Sequence, residues 1–267
     1  MTLAIANQWR TYTDVKDPGH SVVGNVQVLE QVWSPQLENH RDILVYLPPS
    51  YSIGQRRYPV VYMHDGQNLF DHNTSYAGVE WQVDETMEAL SEEGVEAIVV
   101  GVPHMREQRL AEYNPLPGAQ VSRGKAYLDF LIHTLKPLID RDFRTRPDKR
   151  HTGIMGSSMG GLISLYAFFY YPHTFGFMGC LSPAFWYGSA GIYPMVQAAE
   201  FVPGRIYLDH GTRENSAARM YAMLLAKGYR PGESLRYVKE EEGEHTEGAW
   251  ARRLPNALRF LLNGLTA

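Results

Sequence analysis

A serine on a glycine-crowded turn, a late histidine and an acid between them are the residues that could do chemistry in this chain. Gly156-Ser157-Ser158-Met159-Gly160, with Gly161 behind it, fits the G-x-S-x-G pattern with Ser158 as the central serine. A nucleophile on so sharp a turn crowds the residues two before and two after it, so both must be small. Choosing Ser157 would put Met155 and Met159 at those positions, which favours Ser158. A serine hydroxyl attacks only when a base takes its proton and an acid orients that base. Downstream of Ser158 the histidines are His173, His210 and His245. His173 follows the helix after the elbow and is remote. His210 directly continues a strand, whereas His245 occupies the loop between the last strand and the last helix and is the preferred base.

The acid belongs just after the strand at 206–208. Glu214 is preferred, because the loop 211–214 lets its side chain bend towards a neighbouring loop. Asp209, immediately at the strand end, and Glu200 are the alternatives. Acyl transfer also needs donors for a developing oxyanion. The N–H of Met159, the residue after the serine, is one candidate, and the N–H of Gln67 in the loop 64–68 is the other. A glycine in that loop, Gly66, is expected to let the backbone approach a substrate. His64, Asp65, Asp71 and His72 lack a ligand spacing that a metal would require, so no metal is expected.

These residues need elements to hold them. Residues 26–33 and 42–47 alternate Val, Leu and Tyr and end at Pro48-Pro49, which predicts an opening antiparallel hairpin. Short apolar runs at 59–63 and 97–102 predict buried strands, and 153–156, 177–181, 206–208 and 235–238 predict further strands. Helical spacing separates them at 79–90, 127–138, 162–169 and 217–226, and a last helix runs from Trp250 to Leu261. Pro137 is expected to distort the last turn of the second helix. Strands alternating with helices predict an α/β fold with a mostly parallel central sheet covered by helices on both faces, its chemistry gathered at the carboxyl ends of the strands. Residues 1–20 are polar and poorly patterned and read as an N-terminal arm; residues 21–267 read as a single domain.

Hydrophobic residues make up 44% and charged residues 20%, ordinary globular usage that excludes a disordered or fibrous chain. The net charge of −4 gives no basic surplus for nucleic acid or an anionic membrane. Cys180 is the only cysteine, so neither an intrachain disulfide nor a multi-cysteine zinc site can form. The longest nearly apolar run, 162–171, is shorter than the roughly 20 residues of a membrane span. Residues 1–12 lack the pattern of a secretory signal, so a cytoplasmic location is expected.

With these residues in place, the chain resembles the esterase D family, which includes S-formylglutathione hydrolases, feruloyl esterases, enterochelin esterases and mycolyltransferases. The resemblance runs from about residue 24 to about residue 262. It rests on Leu47-Pro48-Pro49-Ser50-Tyr51, Asp65-Gly66-Gln67-Asn68-Leu69-Phe70-Asp71, Glu112-Tyr113-Asn114-Pro115, the elbow, Asp209-His210-Gly211-Thr212-Arg213-Glu214 and Glu244-His245. It implies an α/β-hydrolase fold, Ser158 as nucleophile, Glu214 at the acid position, His245 as base and no cofactor. Glu214 stands where aspartate is more frequent, which keeps Asp209 open, and some enterochelin esterases look like Ser–His dyads.

The expected activity is that of a serine carboxylesterase working on a small-molecule ester through an acyl-enzyme. An acyltransferase on the same triad and a catalytically silent binding protein are the alternatives. Trp81 and Trp186 are candidates for the substrate pocket, and Arg106 and Arg109 could meet an anionic substrate, although solvated surface arginines would look the same. The acidic run 240–242 reads as a solvated surface. The acyl and alcohol groups and the oligomeric state are not legible.

Overall fold

The continuous apolar runs become strands whose two faces feed two separate cores. The computed structural model describes residues 8–15, 18–118 and 121–265. Among these residues there are nine strands, β1 (Arg10–Thr11), β2 (Asn25–Ser34), β3 (Asn39–Leu47), β4 (Val60–His64), β5 (Ile98–Val102), β6 (Thr152–Ser157), β7 (Phe177–Leu181), β8 (Arg205–Gly211) and β9 (Leu235–Glu240). They form one sheet in the order β1-β2-β3-β5-β4-β6-β7-β8-β9. The first three strands and the β3–β5 pair are antiparallel, and every pairing from β5 to β9 is parallel. The expected N-terminal hairpin is β2–β3. The arm expected over residues 1–20 lies partly outside the described residues. Within it, β1 pairs with β2, and Tyr12 is buried with its hydroxyl donating to Asp71 at 2.8 Å.

Along β4, Val60 and Tyr62 face one core and Val61 and Met63 the other, so an unbroken apolar run serves two faces at once. The helices Met159–Tyr170, Ile192–Ala198 and Ala218–Ala226 cover the first face, together with a long helix over residues 124–142. The helices Val83–Glu92 and Glu247–Leu262 cover the second. The long helix differs from expectation. It widens into a π-turn at Leu131–Leu135 and resumes at Lys136–Asp142, so the disturbance lies ahead of Pro137 rather than in the last turn. Proline has no N–H to give, and its ring needs room at the carbonyl four residues back; the wider turn supplies both. Among the described residues, no helix is long and apolar enough to cross a membrane.

The parallel strands all end at one edge of the sheet. The loops after β4, β6, β7, β8 and β9 therefore bring Asp65–Asn68, Ser158, Ser182, Glu214 and His245 to the same side.

Candidate active site

Ser158 sits between β6 and the helix Met159–Tyr170 at φ 53°, ψ −118°, a conformation that a non-glycine residue adopts only when its surroundings enforce it. Its N–H donates to the Leu181 carbonyl at 3.0 Å, and its own carbonyl accepts from Leu162 at 3.1 Å and Ala184 at 2.9 Å. The crowding has a specific source. A Cβ on Gly156 would come within 2.8 Å of the His64 ring and 3.0 Å of the Gly160 backbone, and one on Gly160 within 3.2 Å of His64 Cβ.

His64 is thus the floor of the elbow. It is buried, with Nδ1 on the Tyr127 hydroxyl at 2.8 Å and Nε2 on the Ser164 hydroxyl at 3.1 Å. Burial pushes its pKa down to about 4, so it is a neutral packing group at ordinary pH.

Ser158 and His245 line one cavity of about 460 Å³, together with Asp65, Arg106, Arg109 and Trp250. His245 Nδ1 contacts Glu214 Oε2 at 2.6 Å. The other Glu214 oxygen accepts from the Gly211 N–H at 2.5 Å and the Ser182 hydroxyl at 2.6 Å. Burial raises the Glu214 carboxyl, but the bonds from His245, Ser182 and Gly211 together outweigh it and hold the pKa below the ordinary value. The carboxylate is therefore charged where it meets the imidazole.

Asp209 goes elsewhere. It lies within β8, fully buried, accepting from the Ser182 N–H at 3.0 Å with its second oxygen 3.2 Å from Arg253 Nε. Burial lifts its carboxyl to about 7 against the opposing pull of Arg253. No contact joins it to His245 among the described residues. His210 is also taken, by the Gly211 carbonyl at 2.8 Å and the Tyr237 hydroxyl at 2.7 Å.

Arg253, Ser182 and Trp250 are the residues that sequence reasoning missed. The buried Arg253 guanidinium reaches Ser182 Oγ at 2.6 Å, Asp209 at 3.2 Å and Glu240 at 2.8 Å. Glu240 is therefore an ion-pair partner and not part of a merely solvated acidic run. Trp250 Nε1 donates to Ser182 Oγ at 2.9 Å, and its ring meets His245 edge-on at 5.0 Å. The available signal was an arginine beside the apolar positions Trp250, Leu254 and Leu258 of the last helix.

Trp81 and Trp186 do not reach this cavity wall. Trp81 is buried in the core, its ring 5.6 Å from the Trp250 ring and its backbone N–H donating to the Asn68 carbonyl at 2.8 Å. Trp186 lies in the loop after β7 and is 58% exposed.

The loop after β4 turns through Asp65 at φ 56° into a short helical turn, Gly66–Asn68. Asp65 is fixed there by a two-pronged bond to Arg109, at 2.7 and 2.8 Å, and by the Tyr113 hydroxyl on its N–H at 3.1 Å. Arg109 is therefore a buttress of this loop. Gly66 is required for a reason other than substrate approach: a Cβ would lie 2.6 Å from the Gly101–Val102 backbone of β5. Asp71 binds the Tyr12 hydroxyl and the Asn73 N–H. His64, Asp65 and Asp71 are thus each bound to other protein groups. Gln67 and Met159 stand at the start of helical turns, where an N–H has no acceptor within the turn.

Residues 34–261 match the Esterase family, described as Putative esterase. The chain belongs to that family. The Bacillus subtilis (strain 168) "Uncharacterized protein YbbA" is 31% identical to this esterase-family chain over 245 residues, covering 83% of it and 92% of the relative. An "Endo-1,4-beta-xylanase/feruloyl esterase" from Xylanibacter ruminicola is 29% identical over 178 residues, 64% of this chain and 23% of that protein. The enterobactin esterase FES of Shigella flexneri superposes with a TM-score of 0.72 at 21% identity, over 93% of this chain and 62% of that one. The family is that of putative esterases, and the α/β fold is the one shared with the enterobactin esterase.

Proposed function

We propose that the protein is a serine carboxylesterase in which Ser158, His245 and Glu214 act as nucleophile, base and orienting acid. The observation that carries this reading is the 2.6 Å contact between His245 Nδ1 and a buried Glu214, in the cavity that Ser158 lines from a strained turn. Glu214 accepts a hydrogen bond from the Nδ1–H, which leaves Nε2 as the free base. Nε2 takes the Ser158 proton as Oγ attacks the ester carbonyl, and the tetrahedral oxygen rests on the Met159 and Gln67 N–H groups, the former at a helix N-terminus. The imidazolium then gives its proton to the leaving alcohol. Water, deprotonated by the same nitrogen, adds to the acyl-enzyme, and the carboxylic acid leaves as Ser158 recovers its proton. No step in this sequence calls for a cofactor.

Trp250 gives the cavity an aromatic wall close to the base, and Arg106 gives it a cation. A small-molecule ester fits a cavity of this size. The test is hydrolysis of p-nitrophenyl esters of increasing acyl length, with methyl ferulate alongside, by wild type and Ser158→Ala. Wild-type turnover that falls by about 1,000-fold or more in the variant is expected. Equal turnover by both proteins would overturn the assignment.

A further inference from the structure

Away from Ser158, three carboxylates converge where the chain enters the helix Val83–Glu92. Glu80, Asp84 and Glu85 each offer an oxygen, and these oxygens lie within 4.8 Å of one another. Asp84 is fully buried and Glu80 is 8% exposed. One oxygen of each holds the segment that passes over them. The Val23 N–H donates to Asp84 Oδ2 at 2.7 Å, and the Ser21 hydroxyl donates to Glu80 Oε1 at 2.6 Å. The remaining oxygens, Glu80 Oε2 and Asp84 Oδ1, are buried without a hydrogen-bond partner outside the cluster, as is Glu85 Oε2. Among the described residues, no lysine or arginine forms an ion pair with any of the three.

A helix N-terminus favours acidic residues in its first turn, which accounts for Asp84 and Glu85 being acidic. It does not account for Glu80, which precedes the helix, or for three carboxyl groups gathered where water screens their repulsion only in part. We propose that Glu80, Asp84 and Glu85 bind a divalent cation of the calcium type, which ties the segment carrying Ser21 and Val23 to the start of this helix. The donor set is all oxygen, which suits a hard cation, and none of the three is the imidazole or thiolate that zinc or copper sites prefer.

Among hard cations, calcium tolerates the wider and less regular sets of oxygen ligands. Calcium holds oxygens at roughly 2.3–2.6 Å, so two of its ligands can stand as far apart as about 5 Å, whereas magnesium at roughly 2.0–2.1 Å limits them to about 4.2 Å. Backbone carbonyls and water would complete the shell. Burial first, and then a hydrogen bond shared with Glu85, raise the Asp84 carboxyl to about 9. A shared proton is therefore the competing way to relieve the repulsion, and the experiment separates the two.

The protein is stripped with EDTA, exchanged into metal-free buffer and unfolded thermally with and without 1 mM CaCl₂ or MgCl₂. Calcium at a hundredfold excess over its Kd is expected to raise Tm by about 5 °C, with a smaller rise for magnesium. Asp84→Asn and Glu85→Gln are expected to lose the rise. Terbium bound in place of calcium should show luminescence sensitised through Trp81, the neighbour of Glu80, that calcium displaces. No calcium-dependent rise in wild type, or a full rise in both variants, would overturn the site. So would a metal-free Asp84→Asn protein more stable than a calcium-blind wild type, which would assign the shared proton instead. If Asp84→Asn fails to fold, the half-buried Glu85→Gln decides alone.

Discussion

Glu214→Gln keeps the shape of the acid and removes its charge, and the structure dictates how the amide must sit. Oε1 of Glu214 accepts from the Gly211 N–H at 2.5 Å and from the Ser182 hydroxyl at 2.6 Å. Only a carbonyl oxygen can take that place, so the glutamine NH₂ is left facing His245 Nδ1. Nδ1 must then accept, the ring proton moves to Nε2, and the nitrogen that should deprotonate Ser158 is no longer a base. The same acid-to-amide change in the serine protease triad lowers turnover by about 10,000-fold through the wrong tautomer. That corresponds to about 5 kcal/mol of barrier. The assay is kcat on a p-nitrophenyl ester for wild type, Glu214→Gln and Asp209→Asn, with circular dichroism and thermal unfolding on each to establish that it is folded. Glu214→Gln should lose about three to four powers of ten, and Asp209→Asn much less, because Asp209 points to Ser182 and Arg253. A folded Glu214→Gln within about tenfold of wild type would refute the reasoning, as would a loss carried by Asp209→Asn instead.

Gly156→Ala should cost about 1–3 kcal/mol of stability and most of the turnover, since its Cβ would meet the His64 ring at 2.8 Å and the elbow backbone at 3.0 Å; urea unfolding and ester hydrolysis read both. His64 has a pKa of about 4 when folded against 6.5 when free, so the unfolded chain binds the extra proton first. Its contribution to stability is complete above about pH 6.5 and is lost as pH falls towards 4, by about 3 kcal/mol, a dependence that His64→Gln should remove from urea midpoints taken across that range. Arg253→Met leaves Asp209 buried without its cation and frees the back of Ser182. A loss of about 3–5 kcal/mol is expected from denaturant unfolding, with double substitution to Arg253→Met and Asp209→Leu recovering part of it.

What could be read from the sequence was whatever local sterics and periodicity control. The strand runs that became β4 and β6 depend on neighbours within a few residues and appear where expected, and the choice of Ser158 over Ser157 rests on the same local sterics. The acid was ambiguous because Asp209 and Glu214 both follow the same strand segment. The strand separates their surroundings: Asp209 is still within β8 and fully buried, while Glu214 lies past its end and turns towards the loop of His245. Arg253 lies beyond any local pattern, since its partners Asp209 and Ser182 come from two other stretches of chain. Trp81 illustrates the opposite failure. An aromatic residue near the loop after β4 looks like a pocket wall in sequence, yet its ring is buried in the core and Trp250, from the last helix, takes the wall position.

The central claim is that Ser158 is an activated nucleophile, and covalent labelling tests it without knowledge of the natural substrate. Wild type, Ser158→Ala and His245→Ala are incubated with a fluorophosphonate and digested, and the modified residue is mapped by mass spectrometry. A single phosphonyl adduct on Ser158 in wild type, absent from Ser158→Ala and slowed by orders of magnitude in His245→Ala, is the predicted result. No adduct in wild type, or an adduct on Ser157 or any other residue, would contradict it.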